Sequence, residues 1–124
     1  MRTDPAEILE AAADLYESEQ IEWCKGAFFN DGTNVFGIVS ACAWGALILA
    51  TTEDEKVAMS FADPCMHDQG PPRDVMDNIL AARSAVEDKI AQSIVYFNDY
   101  RLGTTKQDVI DLFRETAKDL RNQR

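Results

Sequence analysis

Residues 36–50 read Phe36-Gly37-Ile38-Val39-Ser40-Ala41-Cys42-Ala43-Trp44-Gly45-Ala46-Leu47-Ile48-Leu49-Ala50, with no charged side chain among them. The stretch is shorter than the roughly 20 apolar residues that span a bilayer, and Gly37, Ser40 and Gly45 interrupt it, so it reads as the inside of a folded domain. From about Ser40 onward Cys42, Ala43, Ala46, Leu47 and Ala50 recur at helical spacing. The small side chains on that surface would let neighbouring helices approach closely. A central, buried helix over Cys42 to Ala50 is therefore expected, and the rest of the chain has to supply what covers it.

On its N-terminal side, residues 26–38 place Asn30-Asp31-Gly32 between two aromatic or β-branched runs. That is the pattern of a two-stranded hairpin, since glycine tolerates the positive φ of a tight turn. Two strands alone are marginal, so the hairpin should lie against helices. Further upstream, Asp4-Pro5-Ala6-Glu7 supplies an N-cap acid, a proline at the first helical position and an early glutamate. Ile8, Leu9, Ala12, Leu15 and Tyr16 then share one face of a first helix that runs to about Ser18.

On the C-terminal side, Thr52-Glu53-Asp54-Glu55 reads as a capping box for a short helix over 53–62, stopped by Asp63-Pro64. Pro64, Gly70, Pro71 and Pro72 mark a loop. Val75, Ile79, Ala82, Val86, Ile90 and Ile94 alternate in threes and fours and predict a long helix from 73 into the nineties. Asn98 to Gly103 reads as a turn, with Arg101 available to pair with Asp99. Thr105-Lys106-Gln107-Asp108 caps a last helix whose inward residues are Val109, Ile110, Leu112, Phe113, Ala117 and Leu120. The expected fold class is mainly α: one globular domain over 1–124, a compact bundle of four or five helices with one small β-hairpin.

The charge is lopsided. Twenty-two acids against 12 bases give a net charge of −10, which repels nucleic acid. Residues 1–22 carry seven acids and one arginine. Glu10, Asp14 and Glu17 fall three or four apart, away from the apolar stripe, and are candidates for docking a basic protein partner. The same reading leaves self-association open. The N-terminus lacks the basic start and apolar run of a secretory signal, so a cytoplasmic, non-membrane protein is expected. Three cysteines, an odd number, then suggest reduced thiols.

Two constellations carry possible chemistry. Cys42 lies near a helix N-terminus, where the dipole lowers a thiol pKa, and His67 and Asn98 or Asp99 follow in the order of papain-like enzymes. Its neighbours Ala41, Ala43 and Trp44 point instead to a core cysteine. Cys24, Cys42, Cys65 and His67 could ligate zinc, but they lack the closely paired cysteines of structural sites. Neither a metal nor a cofactor is expected. Trp23 has an apolar body to bury and an indole N–H that needs an acceptor, which makes it a packing anchor. Phe97 and Tyr100 would be pocket wall or core.

The acidic first helix, Trp23-Cys24 with Gly26, Cys42 with Gly45-Ala46-Leu47, and Phe97-Asn98-Asp99 followed by Arg101 together resemble an uncharacterised family of small actinobacterial and actinophage proteins, a domain of unknown function. The resemblance runs from about Leu9 to Ala117. Family members often have Trp-Asn-Asp where this chain has Phe97-Asn98-Asp99. The resemblance implies a bacterial or phage setting, and names no activity or cofactor. The expectation is a protein-interaction module directed, in a phage, at a host protein. The alternative is a small enzyme or metal-binding protein built around Cys42 and His67.

Overall fold

Asp4 starts the first helix as expected: its carboxylate accepts the Ala6 N–H at 3.1 Å, with Pro5 at the first helical position. The computed structural model describes residues 2–25, 29–30, 40–54, 57–58 and 73–123. Helix α1 spans Pro5–Glu17 and buries Ala6, Ile8, Leu9, Ala12, Ala13 and Tyr16. Ser18 ends it, and Glu19, at φ 62°, turns the chain into a short strand, β1, Glu22–Trp23. Strand β2 is Phe29–Asn30 and β3 is Ser40–Ala41.

The expected hairpin is only partly what forms. β2 does pair antiparallel with β3, but in a register that sets Asn30 opposite Ser40. Asn30 is thus a strand residue, and the rest of the turn expected at Asn30-Asp31-Gly32 falls in residues 31–39, outside the described residues. β1 adds a third strand parallel to β3, giving the order β1-β3-β2.

Helix α2, Ala43–Thr52, is the central one. It starts later than its periodicity suggests, because Ser40 and Ala41 are held in the sheet and Cys42 serves as N-cap. Burial on nearly every side explains why its composition shows no polar face. Its two terminal hydroxyls turn back on the helix, Thr51 to the Leu47 carbonyl at 2.8 Å and Thr52 to that of Ile48 at 3.0 Å. Arg2 crosses the end, with its guanidinium on the Ala50 carbonyl at 2.7 Å and its N–H on Thr51 O at 3.0 Å, which satisfies carbonyls the helix leaves open. Thr52 is therefore not the cap of a following helix. That role falls to Asp54, whose carboxylate accepts the Val57 N–H at 3.2 Å; most of the helix expected over 53–62 lies outside the described residues.

Helix α3, Arg73–Ile90, presents Val75, Ile79, Ala82 and Val86 to the core and ends where Ala91 takes φ 55°. A five-residue π-helical segment, Tyr96–Tyr100, follows in place of the simple turn expected at 98–103. Helix α4, Lys106–Asn122, opens on the expected capping box of Thr105 and Asp108 and buries Val109, Ile110, Leu112, Phe113 and Ala117. α1 packs on α2, α3 and α4, and α3 also packs on α2. The fold class is mainly helical with one small sheet, and among the described residues no helix is long and apolar enough to cross a membrane.

Candidate functional site

The sequence 93–101 builds an unusual element. The Ser93 hydroxyl accepts the Tyr96 N–H at 3.0 Å, the Glu87 carboxylate accepts that of Ile94 at 2.8 Å, and the Arg101 N–H reaches five residues back to Tyr96 O at 2.9 Å. The wide turn lets two successive residues, Phe97 and Asn98, face inward. Such π turns inside helical segments are often associated with function.

Asn98 is 1 % exposed, and its carboxamide uses its whole bonding capacity. Oδ1 accepts the Trp23 indole Nε1–H at 2.5 Å and the Ala43 N–H at 2.9 Å. Nδ2 donates to the Cys24 carbonyl at 3.0 Å and to Asp99 Oδ1 at 2.6 Å. The β1–β3 ladder ends with Cys24 N–H on Ala41 O at 3.3 Å. The next rung of a parallel ladder would run from Ala43 N–H to Cys24 O. The Asn98 amide stands between those two groups and bonds both, acting as an inserted peptide unit. One side chain thereby ties together β1, the N-terminus of α2 and the π-helical segment.

Around this junction Tyr16, fully buried in α1, donates its hydroxyl to Ala41 O at 2.7 Å. Burial, and then the Cys42 and Cys24 thiols, push the Tyr16 phenol well above its ordinary pKa. The Cys42 sulfur accepts the Gly45 N–H at 3.4 Å as the cap of α2. Lys25 lies over the Trp23 ring at 5.4 Å, and the Arg101 guanidinium lies over Phe97 at 4.7 Å, whereas the sequence suggested it would pair with Asp99.

The structure thus gathers Trp23, Cys24, Cys42, Gly45, Asn98 and Asp99 into one cluster, while Gly26 lies outside the described residues. The indole finds the acceptor it needed, in a residue 75 positions away. Of the two readings of Cys42, its burial favours the core cysteine over the activated thiol. Burial raises Cys42 to about 11; the N–H groups of Gly45 and Trp44 pull it down by less, and Cys24 and Asp99 push it up further. Desolvation outweighs the helix N-terminus, so the helix dipole does not activate this thiol as a catalytic nucleophile. Asn98, bonded at every position to structural groups, is not placed to orient a histidine. Cys65 and His67 lie outside the described residues, among which no group of three or more His, Cys, Asp or Glu could hold a metal ion.

Glu10, Asp14 and Glu17 do share one side of α1, but that side faces α4. Arg114 bonds Asp14 at 3.1 Å and also Glu17, and Arg121 bonds Glu10 at 2.9 Å. The charge pattern was legible; the helix that answers it was not. These pairs are exposed, and such pairs contribute about 1 kcal/mol or less. Arg114→Ala is accordingly expected to lower the melting temperature slightly in dilute buffer and to match wild type in molar salt, as thermal melts at the two ionic strengths would show.

A surface that the sequence did not single out lies beside the junction. Val95, Tyr96, Tyr100 and Leu102 are 38, 51, 70 and 97 % exposed, with the two tyrosine rings 6.3 Å apart. Tyr100 is therefore neither core nor pocket wall. Its signal was the apolar run from Ile94 to Phe97 with Tyr100 and Leu102 close behind it, more than a single helical face can bury. An open groove of about 510 Å³ lies elsewhere, between α1 and the end of α2, where Arg2 is already committed to Ala50 and Glu53.

Residues 1–119 match a family described as of unknown function, DUF6197. The chain belongs to this family. A search of curated proteins and one of solved structures each returned no match. In this DUF6197 chain, Trp23, Cys24, Cys42 and Asn98, residues on which the resemblance rested, are physically joined at one junction.

Proposed function

We propose that this DUF6197 protein is a non-enzymatic protein-interaction module of bacterial or phage origin, working in the cytoplasm and, if encoded by a phage, on a host protein. The observation that carries this reading is the exposed patch of Val95, Tyr96, Tyr100 and Leu102 on a segment whose inner side is pinned by Asn98. Contiguous exposed apolar surface commonly marks an interaction site. Tyrosines with a neighbouring arginine are the residue types that dominate binding energy, and a segment already held in shape loses little freedom on docking. The net charge of −10 favours a partner whose apolar pocket is rimmed by bases, and it opposes pairing of two copies. The acids of α1, already bonded to α4, would add long-range attraction but not the contact itself.

The test begins with affinity capture from a bacterial lysate. Once a partner is in hand, its affinity for wild type is compared with that for the triple variant Tyr96→Ser, Tyr100→Ser and Leu102→Ser. The changed side chains are largely exposed, so the variant should melt close to wild type, yet bind at least about 100-fold more weakly, as loss of two or more hot-spot residues implies. Equal affinity would move the contact surface elsewhere.

A further inference from the structure

We propose that Cys24 and Cys42 form a reversible disulfide when the protein meets a hydroperoxide. The parallel register sets Trp23 beside Ala41, so one residue further along Cys24 runs beside Cys42. Side chains alternate along a strand, and both cysteines therefore leave the same face, opposite to that of Trp23 and Ala41. Cys42 keeps an extended backbone, φ −74° and ψ 173°, before the helix begins, so its side chain still follows the strand. At the last paired residues, Trp23 and Ala41, strands lie about 4.8 Å apart, and the roughly 4.4–6.8 Å between Cα atoms that a disulfide spans allows for the widening that the inserted Asn98 amide brings one residue further on.

A separate observation agrees with this placement. The Cys24 thiol acts electrostatically on that of Cys42, and both act on the buried Tyr16 hydroxyl, so the three groups lie near one another. Both cysteines are thiols in this structure. They differ in access: Cys42 is buried at 8 % exposure, and Cys24 is only half-buried.

That difference sets the order of steps. The Cys24 sulfur attacks the outer peroxide oxygen; an S–O bond forms, the O–O bond breaks, and the thiol proton leaves with the departing alcohol or water. The Cys42 sulfur then attacks the Cys24 sulfenic acid. The S–S bond forms, the S–OH bond breaks, and hydroxide departs as water with the Cys42 proton. The two sulfurs give up two electrons together, and the peroxide takes them. The new bond closes the end of the ladder that Asn98 bridges, and a thiol reductant reopens it.

Folded protein treated with one equivalent of hydrogen peroxide, then alkylated, unfolded and digested without reductant, would show the product. The expected result is the loss of two of the three thiols, a chain lighter by two hydrogens, and a linked pair of peptides containing Cys24 and Cys42 that dithiothreitol separates. Cys65→Ser should give the same link, and Cys24→Ser should not. Should Cys42 not tolerate replacement, the wild-type peptide map decides by itself. Linkage of either cysteine to Cys65, linkage between chains, or over-oxidation of Cys24 with Cys42 left as a thiol would each overturn the proposal.

Discussion

Asn98→Ala is expected to destabilise the fold by about 3–4 kcal/mol, enough to leave a domain of this size only marginally folded. The substitution removes little apolar area. Its cost comes from what it leaves behind: the Trp23 indole N–H, the Ala43 N–H and the Cys24 carbonyl all lose their partner at once. Each unsatisfied buried group costs about 1–3 kcal/mol, and the half-buried positions of Trp23 and Cys24 let water recover part of it. A double-mutant cycle isolates the mechanism. Trp23→Phe removes one of the donors, so combining it with Asn98→Ala should cost less than the sum of the two single changes. Urea unfolding of the four proteins measures this. Additive costs would mean that Asn98 acts through packing and not as a bonded rung.

The same side chain shows where sequence reading stops. Elements whose cause is local were legible: Asp4 with Pro5 at the start of α1, Thr105 with Asp108 at the start of α4, and the alternating stripe of α3. A cap needs only residues two or three apart, and a stripe needs only its own period. Two-residue strands have no period to read, so β1 and its parallel pairing to β3 went unseen. Asn98 follows Phe97 in what looks like a turn, and asparagine is common in turns. Nothing local says that its partners are Trp23, Cys24 and Ala43. Thr52 looked like a cap because Glu53, Asp54 and Glu55 follow it, yet it is the last residue of α2, and the N–H of Val57 bonds Asp54. The acids of α1 were found but not the arginines of α4 that face them. In each case the missing information is a distant partner.

Tyr16→Ala is expected to cost about 3–5 kcal/mol, the range for truncating a large aromatic side chain in a core, because the ring is fully buried in α1 and its hydroxyl joins that helix to the sheet at Ala41 O. Tyr16→Phe separates the two contributions. It keeps the ring and removes only the hydrogen bond; Ala41 O retains the Cys24 N–H, so the loss should be about 1 kcal/mol near neutral pH. The alkaline behaviour then tells whether the hydroxyl is held as the structure shows. Burial raises the Tyr16 pKa in the folded state well above its unfolded value near 10, so the folded protein binds this proton more tightly than the unfolded chain does. That contribution is fully present below about pH 10. Above it the unfolded chain releases the proton first, and wild type loses about 1.4 kcal/mol per further pH unit, a loss that the phenylalanine variant does not share. The raised Cys42 thiol also favours unfolding at high pH, but it is common to both proteins and cancels in their difference. Urea midpoints at pH 8 should therefore favour wild type, and at pH 11 the two should converge or change order. A gap that stays constant between those pH values would mean that the Tyr16 hydroxyl ionises in the folded protein as readily as in the unfolded chain, and that it is not sealed against Ala41.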